Sequence, residues 1–285
     1  MKKFLSIIIA LFITNIALSQ VKTATTEQFK MFLNTKTMVV LEDDPYSEFN
    51  DVIKAYMTKY WDITPFEIIT MEDFEAKKNN KALSFMLISD AMFTQNKTFN
   101  NDIKFQSKYT LLNLVLGGKG NSLNDMPDLG SVPLCYSELE VEPYIYKLGG
   151  LLRYMQYYVR YNIAHPNSDV KKVVKDNSAS IKTKELWLVK EDLAGSVNSI
   201  EKISKIYPYK VKFVTREEIK KGIEASTEDF IFFHKIGPEG KISGGVCWKF
   251  LISTKDGAPL YFDYHKIEGN NPDAFLEKDF KEISK

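Results

Sequence analysis

The sequence predicts an α/β protein made of two tandem copies of one lobe. Each lobe reads strand–helix–strand–helix–strand, then an antiparallel meander and a closing helix. Three observations predict it. First, the short apolar runs Met38-Val39-Val40-Leu41, Phe66-Glu67-Ile68-Ile69 and Phe85-Met86-Leu87-Ile88 return as Leu186-Trp187-Leu188-Val189, Val211-Lys212-Phe213-Val214 and Phe230-Ile231-Phe232-Phe233. Runs of this kind suit mixed-sheet strands covered on both faces. Second, a threonine with an acid three positions on, Thr70 with Asp73 and Thr215 with Glu218, follows the second run of each copy. The hydroxyl can accept from free amides of a first helical turn while the acid reaches back. Third, the spacing matches: Thr70 to Phe85 and Thr215 to Phe230 are both 15 residues. A matched cap with matched strands on either side indicates duplication.

The elements follow in order. Thr25 or Thr26 caps a short helix whose apolar side is Phe29, Phe32 and Leu33. The strand at 38–41 ends in Glu42-Asp43-Asp44-Pro45. Phe49, Val52, Ile53, Tyr56, Met57, Tyr60 and Trp61 then recur at helical spacing. After the third strand the pattern turns to alternation. Residues 109–116 and 133–139 form a hairpin pair around the Gly- and Asn-rich loop 117–130. In the second copy 246–254 and 259–267 flank Lys255-Asp256-Gly257-Ala258, where Asp-Gly is a hairpin signal. Helices at 143–161 and 272–283 close the copies, with proline expected in each first turn. Domain bounds are therefore 21–164 and 183–285, joined by a polar, Lys-rich segment 165–182 in which Val170, Val173 and Val174 suggest a short helix. Right-handed crossovers would make the first three strands of each lobe parallel.

Residues 1–20 read as a leader. Lys2 and Lys3 precede an apolar run from 4 to 17, and Ala17-Leu18-Ser19 places small residues three and one before Gln20. The expected mature protein is periplasmic or secreted, with no later run near the ~20 apolar residues of a membrane span. Removing the leader takes two of the 38 basic residues and leaves 36 against 37 acidic ones, a formal charge of −1. A near-neutral chain without a basic stripe has little electrostatic reason to bind nucleic acid. Cys135 and Cys247 do not make a disulfide framework, and buried free thiols are expected in preference to a bridge between lobes.

Chemistry-bearing residues are sparse. Glu42, Asp43 and Asp44 follow the first strand and Ser89-Asp90 the third, so parallel neighbours would bring them to the carboxyl end of a sheet, where open α/β folds bind ligands. Asp43, Asp44 and Asp90 are the candidate ligands for a divalent cation such as Mg²⁺ or Ca²⁺. An acid pair after strand one with an aspartate after strand three resembles the phosphoacceptor site of receiver domains. The resemblance covers three residues only, and the chain departs from that pattern by turning to hairpins after Asp90. The second copy has Lys190-Glu191-Asp192 and His234-Lys235 in place of the acids. His234, His265 and Cys247 are zinc-type residues without short spacing. Gly117-Gly118-Lys119-Gly120-Asn121-Ser122 lacks the glycine spacing of a phosphate loop and reads as a hairpin loop. No catalytic or cofactor-binding set is expected.

The helix at 143–161 is rich in tyrosine. Tyr154, Tyr157, Tyr158 and Tyr161 are the candidate interface residues, because a flat ring with one hydroxyl serves apolar and polar contacts alike. Docking of lobe on lobe is favoured over an external partner. The strand–helix alternation ending in a meander is similar in pattern, without a shared motif, to the amino-terminal domain of Tol-system periplasmic proteins. That similarity implies an envelope accessory domain. The expected function is an exported, non-enzymatic binding or assembly module of the bacterial cell envelope, its partner an unidentified envelope protein. The alternative is a small-ligand or metal-dependent enzyme or receptor using the strand ends or the inter-lobe cleft.

Overall fold

A computed structural model describes residues 22–96, 103–120, 122–137, 139, 142–227, 229–240 and 245–285, with backbone alone for 93–96 and 103–106. The leader lies outside the described residues. The chain runs α1 (Thr26–Phe32), β1 (Lys36–Val40), α2 (Glu48–Tyr60), β2 (Phe66–Ile69), α3 (Met71–Lys77), β3 (Leu83–Asn96), β4 (Ile103–Leu116), β5 (Val132–Tyr136) and α4 (Leu148–Ala164). It continues α5 (Val170–Asn177), β6 (Glu185–Leu188), α6 (Ile200–Ser204), β7 (Val211–Phe213), α7 (Arg216–Ala225), β8 (Phe230–Ile236), β9 (Val246–Ser253), β10 (Pro259–Lys266) and α8 (Glu277–Ile283).

Two five-stranded mixed sheets result, in the orders β2-β1-β3-β4-β5 and β7-β6-β8-β9-β10. In each, the first strand of the copy is flanked by parallel partners, and the third begins an antiparallel run. Val40 and Leu188 hold corresponding places, opposite Ile69 and Phe213. The matched threonines act as expected. Thr70 Oγ1 accepts from Asp73 N at 3.2 Å, and Thr215 and Glu218 make a complete capping box.

Four details differ from the sequence reading. Strands β3 and β4 are 14 residues each, far longer than the apolar runs that mark their inner halves. The β6-to-β7 crossover is two 3₁₀ turns and the five-residue α6 rather than a full helix. Helix α4 starts at Leu148, because residues 145–147 form a 3₁₀ turn and Tyr144 is drawn into the core. Helix α8 starts at Glu277. The chain before it is tied at Phe275, where Ala194 N donates to Phe275 O (3.0 Å) and Phe275 N to Asp192 O (2.8 Å). Pro143 and Pro272 thus lie upstream of their helices.

The lobes share one core. Val39, Met86, Leu112 and Leu114 of sheet 1, with α2 and α4, join Trp187, Phe230, Phe232, Phe250 and Ile252 of sheet 2, with α7. Outside this core, Phe74 of α3 covers the far face of sheet 1, and α6 and α8 cover the far face of sheet 2. The lobes therefore stack front to back. Sheet 1 uses the face that carries its first crossover helix, whereas sheet 2 uses the face that carries its second.

Helix α4 is the shared layer, and Gly149-Gly150 brings it close to a ring on either side. A Cβ on Gly149 would lie 2.5 Å from the Tyr60 ring, and one on Gly150 would lie 2.6 Å from the ring of Phe232. One glycine seats α4 on its own lobe and the next seats it on the other. Alanine at 150 gains about 1 kcal/mol of helix propensity. Forcing a buried ring aside typically costs about 1–3 kcal/mol. Gly150→Ala is expected to lose about 1 kcal/mol net in urea unfolding; a variant as stable as wild type would show that Phe232 has room to yield.

A second anchor sits in the far core of lobe 2. Lys249, fully buried on β9, meets Asp279 of α8 at 2.5 Å. Asp279 also accepts from Tyr261 Oη (2.7 Å) and Leu276 N (2.7 Å). Removing one partner of a buried pair strands the other charge, at a cost of about 3–5 kcal/mol. Asp279→Leu should lose that much in denaturant titration, and Lys249→Met with Asp279→Leu should recover most of it. Equal stability of the single and double variants would refute the pair.

Candidate functional site

Open α/β sheets bind ligands where consecutive connections leave the sheet in opposite directions, beyond the strand carboxyl ends. In lobe 1 this is the space after β1 and beside β3, a cavity of about 320 Å³. Its polar walls are Glu42, Asp90, Thr110, Ser137 and Glu142, with Cys135 beneath. Glu42 Oε2 accepts from Ser47 Oγ at 2.6 Å, and Glu142 Oε2 accepts from the amide of Phe49 in the first turn of α2 at 3.0 Å. Burial, helped by the nearby charge of Glu42, pushes the Glu142 carboxyl above the ordinary range.

Of the three candidate cation ligands Asp43, Asp44 and Asp90, only Asp90 lines this cavity, together with Glu42 of the same acid run. Asp90 is bound by Lys108 Nζ at 2.6 Å and Ser137 Oγ at 2.7 Å. Burial alone would raise its carboxyl, but these two donors outweigh it and hold it below the ordinary value. Asp43 and Asp44 are exposed on the loop after β1, where Asp44 Oδ1 accepts from Tyr46 N at 2.9 Å. Glu142 and Lys108 were missed. Glu142 reaches α2 across 93 residues, and no local pattern carries that. Lys108 could have been found as the one charge next to the alternating run of β4.

The cysteines are buried and free. Burial pushes the Cys135 thiol up to about 12 and raises that of Cys247 as well, so neither presents a thiolate. His265 lies directly opposite Cys247 across β9 and β10, whereas His234, opposite Phe250, projects from the other face of the sheet. His234 Nε2 donates to Pro133 O of lobe 1 at 2.8 Å, and burial keeps the ring neutral. Among the described residues, no three His, Cys, Asp or Glu side chains come together as a metal site.

The tyrosines of α4 divide by face. Tyr154 is buried with its ring 6.1 Å from Phe250 of sheet 2. Tyr157 Oη donates to Asn177 Oδ1 (2.7 Å), Tyr158 Oη to Ser168 O (3.2 Å), and Tyr161 Oη to Asp176. These three hold the segment around α5 against α4. Arg153, not singled out from sequence, crosses to lobe 2 and donates to Ser226 Oγ (2.6 Å) and Thr254 O (2.5 Å).

Beyond the carboxyl ends of β6 and β8 sheet 2 carries a cluster of charges, while beyond β6 and β7 a groove of about 540 Å³ stays open between Lys190, Phe213 and Arg216. Lys235 of β8 lies 3.5 Å from Asp192, 3.0 Å from Glu239 and 3.3 Å from Asp273. Burial alone would lower its ammonium, but the three carboxylates prevail and hold it above the lysine range. Arg216 of α7 meets Glu239 at 3.5 Å. Lys147, from the turn before α4, completes the group from lobe 1 and is 3% exposed. Three carboxylates then face three cations. Burial drives Lys147 down from 10.5 to about 8, with Asp192 opposing the shift. Close by, the Thr215–Glu218 box engages the amides of Thr215 and Glu218 at the start of α7.

The chain matches no family model, no curated protein and no solved structure.

The shift of Lys147 has a testable consequence. A lysine depressed in the folded state destabilises it while charged. The full cost applies below pH 8 and is relieved as pH rises toward 10.5, where the unfolded chain also loses the proton. The difference between 10.5 and about 8 corresponds to about 3 kcal/mol. Lys147→Met should gain roughly that stability at pH 7 and lose the wild-type rise in stability between pH 8 and 10.5. Parallel pH profiles for the two proteins would contradict this account.

Proposed function

We propose that this protein is an exported, non-enzymatic binding or assembly module of the bacterial cell envelope. The observation that carries the reading is the ribbon formed by the outer halves of β3 and β4. Strand β1 pairs with β3 only from Leu83 to Met86, and β5 pairs with β4 only from Tyr109 to Leu112. From Phe93 and Ser107 outward, among the described residues, the two strands pair only with each other. Their counterparts β8 and β9 stop at 7 and 8 residues. A two-stranded ribbon is marginal by itself in water. Its open edges offer rows of amide and carbonyl groups to a strand from another chain. Met92 on this ribbon is 46% exposed.

Other features agree with the reading. The cysteines are held as thiols, Asp90 is bound by Lys108, and the switch point of lobe 2 is closed by a charge group that includes Lys147 of lobe 1. The lobes meet through a filled core rather than a hinged cleft. No helix of the described residues is long and apolar enough to cross a membrane. The leader at 1–20 supports export.

The test is in-cell cross-linking of wild type beside a variant in which residues 92–108 are replaced by Asn-Gly, which joins the paired residues Ala91 and Tyr109 by a tight turn. The wild type is expected to capture a discrete neighbour that the shortened protein, with an unchanged melting midpoint, does not. Equal capture by both, or capture of nothing by the wild type, would overturn the proposal.

A further inference from the structure

We infer that the groove bounded by α5, β10 and α8 binds a small anionic amphiphile, an apolar chain bearing a carboxylate or similar head. The site is distinct from the ribbon and does not depend on its role. Helix α5 folds back along β10, and Asn177 Nδ2 donates to Pro259 O at 3.3 Å. The 3₁₀ turn Ser178–Thr183 then carries the chain beneath it. Between these elements and α8 lies a groove of about 510 Å³. That volume lies within the range of small-molecule sites, about 300–1,000 Å³. Its floor is apolar: Ile181, Leu260 and Ile283 are buried, while Val174 and Phe262 are half-buried and open to it.

Charge decides the occupant. Lys171, Lys175 and Lys182 line the groove, all from the segment that joins the lobes. Among the described residues, no carboxylate pairs with any of the three, and the Lys182 ammonium has only the Tyr209 ring, 5.8 Å away. The one acidic side chain that lines the groove, Glu282, is taken by Lys285 at 2.5 Å. Of the acids on or beside α5, Asp176 holds Lys172 at 2.8 Å and Asp169 caps the helix through Lys172 N at 2.8 Å. Three ammonium groups without counter-charge therefore stand on one side of an apolar floor. Flexible lysine stems suit this use, because they can lie along an apolar chain while their heads meet its anion. A neutral apolar molecule would leave the ammonium groups unanswered, and a cationic one would be repelled.

The experiment is isothermal titration of the mature protein with dodecanoate below its micellar concentration. Dodecyltrimethylammonium is the opposite-charge control, and a sedimentation arm uses vesicles of anionic phospholipid. Saturable one-to-one binding of dodecanoate is expected, with none of the cationic analogue. The Lys171→Gln, Lys175→Gln, Lys182→Gln protein, whose changes are at exposed or half-exposed side chains, should bind about tenfold more weakly. Val174→Asp should weaken binding by blocking the floor. The protein with 92–108 replaced by Asn-Gly should bind as wild type does. Equal binding of both amphiphiles, no loss in the triple variant, no saturation, or co-sedimentation with vesicles without binding of monomeric dodecanoate would each overturn the inference.

Discussion

Everything in this molecule depends on the seating of α4 between two sheets. A helix normally buries one stripe and leaves the rest to water. Here Leu148, Leu151, Leu152, Met155 and Val159 are buried, and Tyr154 is too, because one side faces sheet 1 and another faces sheet 2. Two consecutive glycines let the axis approach an aromatic ring on each side, and Gln156 ties the helix to the end of α2 by donating to Tyr60 O at 2.7 Å. Arg153 reaches the opposite way. Each lobe keeps a far core of its own, but the core between the two sheets is complete only with both.

How much of this was legible follows from the range of each signal. The strands around Val40 and Leu188 and the caps at Thr70 and Thr215 are local: a few residues carry the pattern, and the fold obeyed them. The outer halves of β3 and β4 were not legible, because they have no sheet on either side to demand apolar residues. The shortened crossover after β6 was also obscure. Bonds to Phe275, more than 80 positions away, tie down the chain at Asp192 and Ala194. Lys249 could have been noticed: it shares one face of β9 with Cys247 and Leu251, where a charge requires a buried partner. Its partner Asp279 sits in an ordinary amphipathic helix and gives no sign.

The duplicated sheets have parted company at their carboxyl ends. In lobe 1 the space is open, and its acids are bound to neighbours on the same lobe. In lobe 2 the same space contains a compact group of six charges, to which lobe 1 contributes Lys147. The sequence already replaces the acids of the first copy by Lys190-Glu191-Asp192 and His234-Lys235 in the second, and the structure adds that this second crevice is also where lobe 1 docks Lys147. The tyrosines behave similarly. They are spent on internal seams, Tyr154 against sheet 2 and the other three against the segment around α5.

Front-to-back stacking has a geometric corollary. A contact made between unlike faces does not close on itself, so a further copy could in principle add to the exposed end as lobe 2 added to lobe 1. The helix on which it would sit is α8, the counterpart of α4, but α8 has 7 residues where α4 has 17. Its outward positions carry Lys278, Lys281 and Glu282, all exposed. Terminal units of repeat proteins end their arrays with a polar outer surface of this kind. Shortness and charge thus deny α8 the apolar platform that α4 offers the neighbouring lobe.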